Sequence, residues 1–502
     1  MKKIIKHKYK IFCFLVAFVF LLFTSKNSFL YVFNDWVDAN AFFTVGKGMM
    51  NGVVPYKDIF EQKGILLYLI YGIGYLISNY SFHGVFILEV LSFTIFLYYM
   101  YKIISMYLNE KYTFLILPIL TFIITTSTSF VQGGSCEEFC LPFFGVSLYY
   151  FIRHFKEELT SKEIYINGVM AGCILLMKYT MLGFWIGFGL FIFIDLLIKK
   201  KTKKAFLFCL KFLIGMFAPF AIALIYLFMT GGINDFFNDY FIINMTSYNP
   251  GEKYNIVQRV IRIFRSSYVA IRQNGLIITG LILSSPLFIC FIKDRHKLMK
   301  IGLISSMVLS YVFIFWGLKV YRYYMLPTII FTLITIIGII SLIQKYTDKM
   351  LYKKYLNVFF VIIFILSAFL SYKKANYGCD IKKSKSDYFQ YKYAEYINKY
   401  ENPTLLNMGF LDVGVYTTSG IIPTTKYFEV QNLDYESYPE NLDEMEKYVK
   451  NKEIMFIVYA SMEKDVDVPS YVTDNYELVY EDKYVFEKEN YVAFLYKVKE
   501  AS

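Results

Sequence analysis

The segment FNDWVDANAFFTVGKGMMNGVVPYKDIFEQKGILLY follows the first apolar run. It carries Asp35, Asp38, Asp58 and Glu61 together with Lys47, Lys57 and Lys63. Carboxylates and ammonium groups confined between two apolar segments can move protons or meet developing negative charge. From Asp38 to Met50 the spacing is helical, with Phe42, Val45 and Met49 on one face, and Gly52 and Pro55 end the pattern. Asp38 therefore opens a short surface helix. It, or Asp35, has a plain structural use as the N-cap of that helix. A second acidic site follows in SFVQGGSCEEFCLPF, where Glu137 and Glu138 come after the Gly133-Gly134 turn. Acids in a first helical turn suit the helix dipole. Carboxylates on two loops of one face could also share acid–base work, or hold a divalent cation through oxygen ligands.

Cations complement these acids. Lys178 divides two apolar runs at the tip of a hairpin. Arg259, Arg262 and Arg265 recur every three residues with Ile256, Val260 and Ile263 between them. That is a basic amphipathic helix suited to lipid head groups, or to the phosphate of a lipid-linked substrate. Lys319 and Arg322, beside Tyr321, Tyr323 and Tyr324, offer the same chemistry. Glu89 is isolated in an apolar run and is expected to pair with a neighbouring helix, whereas Asp195 is expected to mark a boundary beside Lys199.

The elements that must position these groups are membrane segments. The chain has 502 residues, 57% apolar and 20% aromatic, and charged residues are only 18%. A soluble domain usually carries roughly 25%. Uncharged stretches recur at 11–25, 64–82, 113–136, 164–177, 179–194, 212–234, 275–292, 301–318, 323–344 and 356–372; 84–101 is apolar but for Glu89, and another segment runs back toward Arg153. A crossing needs about 20 apolar residues. The expected fold is an α-helical polytopic membrane protein with about 11–12 transmembrane segments and a C-terminal extracytoplasmic α/β domain. The basic stretches Lys2–Lys10, Arg153–Lys162, Lys199–Lys204, Lys293–Lys300 and Lys345–Lys354 should face the cytoplasm. The loops 26–63, 129–137 and 231–274 and residues 376–502 then lie outside. Parity fails by one: an even number of crossings should separate loops 26–63 and 129–137, and three apolar segments lie between them. One of the three is expected to re-enter or to lie at the interface.

Residues 1–375 form the expected membrane domain. Residues 376–502 change to dense charge, with short β-rich runs at Thr404–Met408, Ile454–Tyr459, Glu477–Tyr480 and Val492–Val498 and a charged helix at Asn441–Asn451. The net charge of +12 resides mostly in short loops beside apolar runs, which is a topogenic pattern and not a nucleic-acid stripe. Seven scattered cysteines give no disulfide framework. Neither GxxxxGK[ST] nor GxGxxG occurs, and four histidines leave little for His-based catalysis.

The order Asp38, Phe42-Phe43, Gly46, Gly52, Pro55-Tyr56-Lys57-Asp58, Lys63-Gly64, Leu66-Leu67-Tyr68 resembles the N-terminal signature of GT-C class membrane glycosyltransferases, in particular protein mannosyltransferase and aminoarabinose transferase relatives. Ile65 stands where that signature has a proline. GGSCEE resembles the second acidic motif of bacterial members, and NMGFLDVGVYTTSGIIPTTKYFEVQN resembles the tail of a subgroup that decorates cell-envelope glycans. The resemblance implies transfer of a sugar from a polyprenyl-phosphate carrier to a cell-envelope glycan, lipid or protein, outside the membrane and with inversion. It makes Asp38 the general base. Lys178, Arg259, Arg262, Arg322, Lys63 and Tyr56 become candidates for substrate or phosphate binding. Glu137 and Glu138 would orient these cations or hold a divalent metal. A carboxylate partly desolvated at a membrane surface holds its proton more tightly, as a base at neutral pH requires. The competing classes are a lipid-linked glycan flippase or transporter, and a glycan polymerase or ligase. The chain shows no matching halves with broken helices of the kind transporters use.

Overall fold

The computed structural model describes residues 2–247, 254–292, 296–350, 355–375 and 378–499. Parts of the basic stretches 293–300 and 345–354 and of the loop 231–274 lie outside them.

The helices of the apolar part are α1 (Lys2–Thr24), α2 (Val37–Met50), α3 (Ile65–Ile77), α4 (His83–Tyr107), α5 (Thr113–Thr125), α6 (Cys136–His154), α7 (Ser161–Lys178), α8 (Gly183–Ile198), α9 (Thr202–Thr230), α10 (Ile233–Phe236), α11 (Ile243–Thr246), α12 (Ile256–Gln273), α13 (Gly275–Phe291), α14 (Lys297–Ile314), α15 (Thr332–Met350) and α16 (Leu356–Lys374). Then come α17 (Phe389–Ile397), β1 (Leu405–Met408), α18 (Val415–Ser419), α19 (Glu440–Lys450), β2 (Phe456–Met462), α20 (Ser470–Asn475), β3 (Tyr476–Phe486) and β4 (Glu489–Val498).

Each expected apolar segment contains a helix, although the one in 113–136 ends at Thr125 and 323–344 begins as a 3-10 segment to Phe331. Among the described residues seven helices are long and apolar enough to cross a membrane. Ile65–Ile77, Gly183–Ile198 and Gly275–Phe291 are apolar but shorter. The lipid-facing character is plainest on α9, where Phe206, Leu210, Leu213, Phe217, Phe228 and Met229 are all exposed. A soluble protein rarely leaves so much apolar surface uncovered. The chain is a helical polytopic membrane protein with a small C-terminal sheet.

The chain divides into two compact units, with two of the five breaks inside α4 and α9. The first comprises Met1–Ser25, Ile87–Ala223 and Lys253–Gly378. Its helices have two distinguishable ends. At one end Lys204 pairs with Glu158 at 3.1 Å, Lys201 reaches the same carboxylate, and the Tyr112 hydroxyl donates to Asp348 at 2.9 Å. The stretches 153–162 and 199–204 and the α4–α5 turn thus meet there. At the other end the Ser25 hydroxyl, one residue past α1, donates to Glu89 near the start of α4 at 3.0 Å. Ser129, between α5 and α6, bonds Asn274 between α12 and α13 at 2.8 Å. The chain therefore leaves this unit after Ser25 and re-enters it at Ile87 at the same end.

The second unit comprises Lys26–Phe86, Leu224–Glu252 and Cys379–Ser502. Its sheet has the order β1-β2-β4-β3, with β1 parallel to β2 and the other pairs antiparallel. Phe60 and Ile243 join Leu406, Ile457, Met445 and Tyr496 in one apolar core, so the segments around 60 and 243 fold with the sheet. α2 packs against α3 at Gly46 and Gly72. A Cβ on Gly46 would lie 2.6 Å from the Gly72 nitrogen, so glycine is required for that approach.

Candidate functional site

In the second unit α2 begins at Val37 and places Asp38 in its first turn. Neither Asp35 nor Asp38 caps the helix. The N-cap is Trp36, with no side-chain cap bond. Asp35 is drawn instead to Lys26, at 2.6 Å, and Lys26 also pairs with Asp380 at 2.6 Å. The cap expectation fails because a buried ammonium competes for the Asp35 carboxylate more strongly than exposed amides do. Asp38 is half-buried.

The loop after α2 turns tightly. The Val54 amide donates to Asp58 at 2.9 Å, and Tyr56 takes φ +71, sparsely populated for a bulky residue. The Tyr56 hydroxyl donates to the Lys63 carbonyl at 2.7 Å. The Glu61 carboxylate accepts from the Lys63 amide at 2.8 Å and from the Tyr68 hydroxyl. These bonds aim the Lys63 ammonium over the Phe42 ring, 5.6 Å from its centroid and 3.9 Å from Glu61. Phe42 is one turn beyond Asp38, so Asp38 and Lys63 share a side of α2.

Several buried groups of this unit escaped the sequence pattern. Lys47 is fully buried and donates to the carbonyls of Tyr416 at 2.7 Å and Ile421 at 2.5 Å. Burial pulls its pKa down to about 7, against the opposing charge of Asp412. Asp412 accepts from the Thr44 hydroxyl at 2.7 Å and from the Gly414 amide at 2.8 Å, and burial pushes it up to about 6. Glu429 accepts from the Asp412 amide at 2.5 Å. Burial raises it well above the carboxylate range, with further upward pushes from Asp412, Glu61 and Asp38. Asp239, in a π-helical turn (Phe237–Ile242), is pushed up to about 7 by burial, and its Oδ2 has no partner among the described residues. π-turns often mark functional positions. An ionisable residue between two glycines, as in Gly46-Lys47-Gly48, was the one local sign of such a site.

In the first unit Ser135 caps α6, accepting from the Glu138 amide at 3.0 Å. Glu137 in the first turn pairs with Lys178 at 2.6 Å, and the Lys178 ammonium sits 3.4 Å from the Tyr324 centroid. Lys178 is thus held between a carboxylate and an aromatic face. Glu138 accepts from the Gly134 amide at 2.8 Å. Arg259 lies over Trp316 at 5.3 Å and Arg262 over Tyr254 at 4.0 Å. Arg322 begins a 3-10 segment to Phe331, next to the stacked Tyr321 and Tyr323. Asp195 is more than a boundary residue, since it accepts from Lys199 at 2.7 Å and bonds buried His154 at 2.9 Å. Among the described residues no three His, Cys, Asp or Glu side chains gather as a metal would need. Asp38 and Lys63 fall in the second unit, and Glu137, Glu138, Lys178, Arg259, Arg262 and Arg322 in the first.

The family model described as "Putative competence-induced protein Ccs4 N-terminal domain" matches residues 1–375. Two solved structures of ArnT from Cupriavidus metallidurans share the fold. The apo form gives TM-score 0.58 at 11% identity over 96% of each chain. The form bound to undecaprenyl phosphate gives TM-score 0.59 at 10% identity over 97% of each. No curated protein sequence matches significantly. The fold is ArnT-like.

Proposed function

The chain belongs to the Ccs4 N-terminal-domain family, and from that premise we propose that it is a membrane glycosyltransferase. It moves a sugar from a polyprenyl-phosphate donor to a cell-envelope acceptor on the outer face. One observation carries this reading: the fold is shared over almost the whole chain with ArnT, one of whose structures holds undecaprenyl phosphate.

In this reading Asp38 accepts the proton of the acceptor hydroxyl as that oxygen attacks the anomeric carbon. The bond to the lipid phosphate breaks, and the configuration inverts. The leaving phosphate takes up negative charge, and cations stabilise it there. Lys63 opens on the same side of α2 as Asp38. Lys178, Arg259, Arg262 and Arg322 are the further phosphate candidates, and Glu137 orients Lys178 through their ion pair.

The topology that suits this chemistry has the N-terminus inside and residues 376–502 outside. With α3 at the interface, α1, α4 to α9 and α13 to α16 make eleven crossings, and the parity of the loops is restored. The exposed Leu69, Ile73, Leu76 and Ile77 along α3 fit such a surface position. Residues 376–502 would contribute to choosing the acceptor. Membranes containing the chain, supplied with a panel of undecaprenyl-phosphate hexoses and pentoses, should transfer one of them. Movement of a lipid-linked glycan across the bilayer without any transfer would favour the flippase class.

A further inference from the structure

The motif NMGFLDVGVYTTSGIIPTTKYFEVQN has no role in the mechanism so far. Its middle section packs on α17, where Gln390 bonds Val413 and Thr418, and on α2, which carries Asp38. Successive residues of a helix are about 100° apart. With Asp38 at the origin, Asn40, Thr44 and Lys47 lie at roughly 180–240°, on the opposite side. All three are fully buried polar groups. Each is satisfied by a partner more than 360 positions downstream. The Thr417 hydroxyl donates to Asn40 Oδ1 at 2.8 Å. The Thr44 hydroxyl donates to Asp412 at 2.7 Å. The Lys47 ammonium donates to the Tyr416 and Ile421 carbonyls, at and just beyond α18. The Tyr416 carbonyl also accepts from the Gly420 amide at 3.2 Å, so the ammonium is a second donor to it.

The grip is close as well as polar. Gly414 has φ +94, and a Cβ there would lie 2.4 Å from Phe33 Cζ and 2.9 Å from Asn40 Oδ1. A stripe of buried polar groups costs free energy unless every member is bonded, so α2 has one low-energy setting against this segment.

We propose that residues 412–421 form a positioning element that grips the Asn40–Thr44–Lys47 stripe on the back of α2 and sets the rotation and axial position of Asp38 on its front. The proposal rests on Asp38 being the base. Lys47, Thr44 and Asp412 are positioning residues, since they act through the helix.

The test uses the full chain in nanodiscs, with transfer from the panel of undecaprenyl-phosphate sugars and binding of undecaprenyl phosphate as separate readouts. Displacing a catalytic group by about 1 Å can cost ~100-fold in rate. Lys47→Met and Thr44→Val should therefore lower kcat by about 10- to 100-fold, with donor KM and undecaprenyl phosphate affinity unchanged. Thr44→Val keeps the side-chain shape, so it carries the test if Lys47→Met fails to fold. Asp412→Asn retains acceptors for Thr44 and Gly414 and should keep most of the rate that Asp412→Ala loses. A wild-type kcat in folded Lys47→Met and Thr44→Val overturns the proposal, as does a rate loss matched by an equal loss of carrier binding. Asp38→Asn separates the two layers. If it is inactive while Lys47→Met turns over normally, only the positioning role fails. If it is active, the base assignment itself is wrong.

Discussion

Two cations, one in each unit of the chain, are held in different ways. In the first unit the candidate ions are matched locally, side chain to side chain: Glu137 with Lys178, and Lys178 with the Tyr324 face. In the second unit the buried ammonium of Lys47 meets main-chain carbonyls from a segment 369 and 374 positions away. A paired ion can be released when a stronger partner, such as a phosphate, arrives. An ammonium held by carbonyls of a folded segment is released only if the segment moves.

The comparison can be broken from either side. The largest stability effect should come from Lys178→Met, which leaves Glu137 buried without a counter-charge. Removing one partner of a buried pair costs about 3–5 kcal/mol. The double variant Lys178→Met/Glu137→Gln should recover part of that loss in thermal unfolding. Equal losses in single and double variants would mean the pair is not coupled.

Gly414→Ala probes the segment that holds Lys47. The backbone conformation and the 2.4 Å approach to Phe33 both oppose a Cβ. A cost of about 1–3 kcal/mol is expected, read as a lower unfolding midpoint together with slower transfer.

A pH series sharpens the same point. The Lys47 pKa falls to about 7 in the folded chain from an ordinary 10.5. Between those values the unfolded chain binds a proton that the folded chain does not, so this group makes stability rise with pH from about 7 toward 10.5. Asp412, raised from 3.8 to about 6, acts in a separate lower window, where stability rises as pH falls through 6. The unfolding midpoint of the wild type should therefore gain on Lys47→Met between pH 7 and 10. A constant difference over that range would mean that Lys47 keeps its proton. The smallest effect is expected for Arg259→Gln/Arg262→Gln, whose rings at Trp316 and Tyr254 remain to pack. Undecaprenyl phosphate affinity should fall by a few-fold with turnover preserved, on the order of the ~0.5–1 kcal/mol of an exposed cation–π contact. Unchanged affinity returns these arginines to lipid head groups.

Much of this architecture was legible in the sequence. The bilayer imposes length and hydropathy on every crossing, so the apolar segments stood out. The expected Asp38–Met50 helix starts one residue earlier, at Val37, and the four strands lie within a few residues of their expected places. Hydropathy could not resolve the parity of the loops. The apolar run 64–82 continues past the helix end at Ile77, and the Ser25–Glu89 bond that joins the ends of α1 and α4 links residues 64 positions apart. Nor could it find the partners of Lys47 or the Glu429 carboxylate, since nothing local encodes a contact made across most of the chain. Asp35 misled for a related reason, because its partner Lys26 looked like an ordinary loop lysine.

Asp38→Asn in the full chain, assayed for sugar transfer from undecaprenyl-phosphate donors beside Asp35→Asn, tests the central claim most directly. Asn keeps the shape of Asp38 and lacks only the charge and the capacity to take a proton. General-base assistance contributes ~10²–10⁴-fold, so Asp38→Asn should retain under a few per cent of the rate while still binding undecaprenyl phosphate. Asp35→Asn, with Lys26 still paired to Asp380, should keep substantial activity. Full activity in Asp38→Asn, or an inactive Asp35→Asn beside an active Asp38→Asn, would contradict the account.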